Sequence, residues 1–198
     1  MIIRKELFIL KLEKEKQILF PILEVLINNF PEKLFSIDTF RSEIAKNSIE
    51  IGASIINDIS GGKFDKNMFE IIAKHKVPYV MMHMKGTPKT MQLNPEYKNV
   101  VIDVLNFFVK QIEIAQDIGV TDIIIDPGFG FGKSLNHNFE LLKELNLFKK
   151  INCPILIGIS RKSMIYNVLN TNPNQSLNGT TILNTFALIN GANIIRVH

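Results

Sequence analysis

Residues 123–134 read IIIDPGFGFGKS: three β-branched apolar residues ending in an acid, then three glycines in five positions, a lysine and a serine. These are the parts of a phosphate loop in the wrong spacing. That motif requires G-x-x-x-x-G-K-[ST]. Gly132, Lys133 and Ser134 supply its end, but the first glycine would fall on Pro127. Proline has a fixed φ and no N–H to give to a phosphate. The dinucleotide fingerprint G-x-G-x-x-G fails as well, because Gly132 comes one position early. What remains is an aspartate, Asp126, at the tip of an apolar strand, followed by a glycine-rich loop carrying Phe129 and Phe131.

Outward from this stretch, the same arrangement recurs. Apolar runs at 34–38, 54–59, 79–83, 122–126, 155–160 and 194–197 are uniformly apolar rather than alternating. That is the pattern of parallel strands covered on both faces. Helical periodicity lies between them. It is clearest at 97–118, with Val101, Val104, Leu105, Phe108, Ile112 and Ala115 on one face, and again at 13–29. The segments IGASII, IGVTDIII and NGANII each place a glycine at a helix end and enter a strand two or three residues later. A glycine there suits a left-handed cap, and three such junctions predict repeated β/α units. Nearly every strand ends in polar chemistry: Asp38, Asn57 with Asp58, His83, Asp126, Ser160-Arg161-Lys162, and Arg196 with His198. A doubly wound sheet gathers its ligand groups at one switch point, whereas a barrel brings every strand end to one mouth. The expectation is therefore an α/β fold, a (β/α)8 barrel, with residues 1–198 as a single domain. A barrel typically has eight strands and about 250 residues. Six strands, an opening helix and a final strand predict an incomplete barrel, about six of eight units, lacking the first two units and the last helix.

With 198 residues, 46% apolar and 21% charged, the composition is that of an ordinary globular domain. No apolar run reaches the roughly 18 residues of a membrane span, and the charged N-terminus carries no secretion signal. One cysteine, Cys153, excludes an internal disulfide and predicts a cytoplasmic protein. The net charge of +4 comes from scattered residues, which argues against nucleic acid.

Taken singly, Asp38, Asn57 and Asp126 also read as helix caps or turn formers. Together around one mouth, such carboxylate and amide groups suit a flat heterocycle bearing several N–H groups. Arg161 and Lys162 in GISRKS stand at a helix start, where cations are disfavoured unless an anion is bound; a solvated basic turn is the alternative. Arg196 and His198, two apart, share a strand face, which suits a phosphate, with a surface ion pair as the alternative. In MMHMKGTPKTMQ, His83 reads as structural and Met82 as an apolar wall under a ring. No Cys/His cluster suggests zinc.

The segments SIDTFR, GASIINDISGG, MMHMKGTPKTMQ, DPGFGFGKS, GISRKSMI and NGANIIRVH, in this order, resemble dihydropteroate synthase, over residues 13–198. The resemblance implies a (β/α)8 barrel that joins hydroxymethyl-dihydropterin pyrophosphate to 4-aminobenzoate, releasing pyrophosphate. It implies pterin contacts from Asp38, Asn57, Asp126 and Lys162, with Met82 and Gly158 lining that pocket. Arg196 and His198 match the pyrophosphate site, Ser163 the serine near the aminobenzoate carboxylate, and Phe131 a contact to that ring. It also implies Mg2+, a homodimer for the full-length enzyme, and a metal-binding asparagine on the family's first strand. No counterpart of that asparagine is found here, so the chain alone is expected to be inactive. A pterin-binding methyltransferase domain is the alternative within the fold, opposed by SRKS and RVH, since methyl transfer releases no pyrophosphate. A non-catalytic pterin-binding remnant is the alternative of another class.

Overall fold

The computed structural model describes residues 11–87, 90–91 and 95–198. The N-terminal ten residues, on which the absence of a secretion signal was read, lie outside the described residues, as do Pro88, Lys89 and Gln92 of the methionine-rich motif. The chain divides into two compact units, one of residues up to Met81 with Gln111–Ile123, the other of Met82–Lys110 with Ile124–His198.

In the first unit, α1 (Leu12–Asn29) packs on α2 (Ser42–Ile51), and α2 on α3 (Met68–His75). Acidic Glu13 and Glu15 sit in the first turn of α1, the end that favours negative charge. Lys16 ties α1 to α2, 2.8 Å from Glu13 and 2.5 Å from Glu43. Strands β1 (Ser36–Asp38) and β2 (Ile55–Asp58) are parallel, with Asp38 opposite Asn57. Next to them runs β3 (Tyr79–Met82), whose Tyr79, Val80 and Met81 face Ile56, Asn57 and Asp58. The acid and amide ends of these strands thus share one edge. Ile44, Ile56, Met68, Ile72 and Tyr79 are almost wholly buried, and Phe69 meets Tyr79 edge-on at 5.6 Å. Burying each such side chain contributes about 1.5–3 kcal/mol.

The second unit holds Ile124–Asp126, most of β4 (Ile123–Asp126), and the parallel pair β5 (Leu156–Ile157) and β6 (Ile194–Ile195). The His83 amide donates to the Asp126 carbonyl at 3.0 Å, and Ile125 bridges Ile155 in parallel. Phe108, Phe129, Phe148, Leu141 and Leu145 form its apolar centre. Around them lie α5 (Leu135–Lys143), the four-residue α6 (Ser163–Tyr166) and α7 (Leu177–Ile189).

Among the described residues six strands occur where six are expected, each shorter than its apolar run. The fifth shows why. After Ile157 the chain turns at Ser160–Arg161, and the Arg161 amide goes to Thr180 Oγ1 instead of a neighbouring strand. The long helix, α4 (Val100–Ile118), begins three residues later than its periodicity suggests. Asn99 accepts from the amides of Ile102 and Asp103, so the cap fixes the start. Of the expected apolar face, all but half-exposed Leu105 is buried. The three glycine junctions are one motif. Gly52, Gly119 and Gly191 have positive φ, and the next residue donates five positions back: Ala53 to Ser48, Val120 to Ala115, Ala192 to Ala187, at 2.8–3.0 Å. This is the bond that closes a helix before a return to strand.

Candidate active site

In the first unit, register sets Asp38 and Asn57 side by side, and Asn57 Nδ2 donates to Asp38 Oδ1. Asn57 is buried, so this bond fixes which way its amide faces. Asp58, the next residue, points to the opposite face of the strand. It is wholly buried and accepts from the amides of Ser60 (2.7 Å) and Gly62 (2.9 Å) and from the Tyr79 hydroxyl (2.7 Å). Burial pushes its carboxyl above the ordinary range, against the opposing effect of those donors. Burial likewise raises the Tyr79 phenol, helped by the charge of Asp58. Asp58 thus folds the turn that follows β2, and Asn57 and Asp38 form the pair at the strand ends.

In the second unit, Asp126 is 1% exposed. Its Oδ1 accepts from the Gly128 amide at 2.8 Å and its Oδ2 from Arg196 Nη2 at 2.7 Å. A carboxylate has about four acceptor sites, so about two remain for a ligand's N–H groups. Gly158 lies directly under the guanidinium: a Cβ there would stand 2.7 Å from Arg196 Nη2 and 3.1 Å from Nε. The glycine that the sequence assigns to a pocket wall is what lets Arg196 reach Asp126. Gly128 has φ +72, and a Cβ there would lie 2.0 Å from the His83 carbonyl and 3.3 Å from Met82 Cγ. Met82, itself buried, would meet any side chain at position 128.

Lys162 donates through Nζ to the Phe129 carbonyl and stands 4.9 Å over the Phe131 ring. Phe131 is buried. Lys162 and Arg161 part ways: Arg161, at φ 52, sends its guanidinium to the carbonyls of Pro173 (3.2 Å) and Asn174 (3.3 Å). Ser163 is the exposed first residue of α6. His198 is exposed, and its amide donates to Ser160 Oγ at 3.3 Å. Of the residues expected to act together, Arg196 joins Asp126 and Gly158, and Lys162 joins Phe131.

Sequence reasoning missed Lys133, which it set aside with the phosphate-loop reading. Lys133 is 3% exposed and lies among the backbone carbonyls of the glycine loop. It also missed Asn138, whose Oδ1 accepts from the Gly130 amide at 2.7 Å, and Tyr97, whose hydroxyl donates to the Gly132 carbonyl at 2.7 Å. A lysine closing a loop of three glycines was the available signal. Among the described residues, no group of three or more His, Cys, Asp or Glu is placed to hold a metal ion. No such group among the described residues is therefore on hand for the Mg2+ that the resemblance implies.

A sequence profile of the pterin binding enzyme family matches residues 6–198. Dihydropteroate synthase of Escherichia coli (strain K12) is 41% identical over 188 residues, covering 94% of this chain and 66% of the relative. The chain thus spans just under two thirds of that relative's length. Dihydropteroate synthase of Yersinia pestis, solved with a sulfonamide drug, superposes with TM-score 0.90 at 37% identity, covering 96% of this chain and 69% of that one. Dihydropteroate synthase of Thermus thermophilus, solved in complex with 4-aminobenzoate, superposes with TM-score 0.90 at 36% identity, covering 96% and 73%. The same Thermus enzyme has also been solved with 6HMPPP, where TM-score is 0.85 at 34% identity, covering 93% and 71%. The fold is accordingly the α/β TIM barrel of these enzymes. With that profile spanning nearly the whole chain and identities of this size, the chain belongs to the pterin-binding enzyme family, among the dihydropteroate synthases.

Proposed function

We propose that this chain supplies residues with which the whole enzyme binds hydroxymethyl-dihydropterin pyrophosphate and 4-aminobenzoate and joins them as dihydropteroate, with release of pyrophosphate. The observation that carries this reading is Asp126: a buried carboxylate whose position is fixed by a backbone amide and an arginine, with acceptor capacity left for a ring bearing N–H groups. The pterin and aminobenzoate complexes of the Thermus enzyme support the two substrates.

In this reading, the C–O bond between the pterin methylene and pyrophosphate breaks, and the amine nitrogen forms the new C–N bond and loses a proton. Positive charge develops at the methylene while pyrophosphate leaves with the bond electrons. Asp126 and Lys162 hold the pterin ring, with Met82 and Gly158 beside it, and the Asp126 carboxylate stabilises the cationic ring. Asp38 and Asn57 are likewise assigned to the ring. Arg196 and His198 take the departing charge, an electrostatic effect of the kind that dominates such reactions. Ser163 is assigned to the aminobenzoate carboxylate and Phe131 to its ring. The arylamine is nucleophilic without an activated side chain.

Residues 1–198 are proposed as one pterin-binding domain, cytoplasmic, with small-molecule partners and neither nucleic acid nor membrane; the homodimer is proposed for the full-length enzyme. No helix among the described residues is long and apolar enough to cross a membrane.

The test is a thermal-shift comparison. A ligand that binds only the native state raises the melting temperature. Pterin pyrophosphate and inorganic pyrophosphate are each expected to do so, and the double variant R196A/H198A to lose the inorganic pyrophosphate shift. Survival of that shift in the double variant would place the anion elsewhere.

A further inference from the structure

Lysine is almost never fully buried unless its ammonium is satisfied. Lys133 Nζ lies 3.0 Å from His83 Nδ1, 3.0 Å from the Gly128 carbonyl and 3.1 Å from the Phe131 carbonyl, with the His83 carbonyl at 3.4 Å. An ammonium has three protons, and the three shorter contacts take them. Facing an ammonium, His83 Nδ1 is the acceptor. The cation thus clasps the glycine loop at two carbonyls and anchors it to the segment leaving β3.

The clasped residues bracket the parts of the loop assigned to the site. Gly128 gives its amide to Asp126 Oδ1, Phe129 gives its carbonyl to Lys162, and Phe131 lies beneath the Lys162 ammonium. The loop's own bonds, Gly130 to Asn138 and the Phe131 amide to the Gly128 carbonyl at 3.1 Å, close around the same point.

We propose that Lys133, with His83, is a positioning residue. Its hold on the Gly128 and Phe131 carbonyls sets where the Phe131 ring stands to receive the arylamine substrate. The proposal rests on the functional reading above for the identity of that substrate, while the clasp itself does not.

Hydrogen exchange on the intact chain tests the clasp without any ligand. Local opening of a loop is read directly in its amide protection. K133M keeps an apolar stem but no ammonium, and is expected to speed exchange of the Gly128, Gly130 and Phe131 amides by at least about tenfold while the β2 amides stay as protected as before. Unchanged loop exchange in folded K133M would overturn the proposal. Should K133M fail to fold, H83Q is measured instead, and loop exchange indistinguishable from wild type would again overturn it. The second readout is calorimetry with 4-aminobenzoate and with the pterin pyrophosphate. K133M is expected to weaken aminobenzoate at least about tenfold, which is about 1.4 kcal/mol, with a smaller loss for the pterin, whose contacts Asp126 and Lys162 also bond to this loop. Equal losses for both ligands would reduce Lys133 to a structural role and overturn the positioning claim. A wild-type chain that binds neither ligand would remove the functional reading, and the positioning role with it, while the exchange result would still decide whether the clasp exists.

Discussion

Asp126 shows how much one residue's surroundings decide. An aspartate at a strand tip reads equally well as a turn former or a ligand group, and only its neighbours separate the two. Here both oxygens are engaged, one by the Gly128 amide and one by Arg196, in a position almost closed to solvent. The arginine reaches it because residue 158 has no side chain. Gly158→Ala puts a carbon 2.7 Å from Arg196 Nη2, so the guanidinium must leave the carboxylate. The expected outcome is a loss of roughly 1–3 kcal/mol, the usual cost of overpacking, together with weaker binding of pterin. Urea unfolding measures the first; a variant as stable as wild type would show that Arg196 finds another route to Asp126. Arg196 was legible as a cation facing a ligand, and its partner was not, because no spacing rule links positions 126 and 196. That contact exists only once β4 and β6 are folded.

At the scale of elements, the sequence was most legible where local physics decides and least where tertiary bonds do. The three helix-to-strand junctions could be read from glycines at fixed offsets, since the closing bond is made within six residues. Strand ends were overread, because a run such as 155–160 keeps its apolar character past Ile157, where the strand ends. The role of Asp58 was invisible because its donors come from its own turn but also from Tyr79, on the neighbouring strand. Its raised carboxyl pKa has a consequence for the β2 turn. The folded state holds this proton more tightly than the unfolded state, so stability from this group is greatest at low pH. It declines as pH rises from the ordinary carboxylate value, about 4, toward the folded value. Lys63 and Tyr79 are the other titratable groups coupled to it. Unfolding free energy measured from about pH 4 upward should fall through that window in the wild type and less steeply in Asp58→Asn. Equal slopes would mean that Asp58 is ionised at no cost.

For the whole molecule, the family was legible because six separated motifs kept their order and content, and a profile spanning residues 6–198 bears that out. The chain divides into two compact units, and β3, β4 and α4 each have residues in both. The chain covers 66% of the Escherichia coli relative, and the activity of the whole enzyme is accordingly a proposal rather than a property of these residues. What these residues are proposed to do is narrower: the Asp126 carboxylate reads a pterin ring. Isothermal titration of the chain and of Asp126→Asn with the pterin pyrophosphate tests it most directly. The variant exchanges an acceptor for a mismatched N–H donor and is expected to lose roughly 1–3 kcal/mol of stability through its neutralised bond to Arg196. It is therefore compared at a temperature where both are folded. Saturable binding to the wild type is expected, with at least about a tenfold loss in the variant, about 1.4 kcal/mol. Equal affinity in the two folded proteins would contradict the claim.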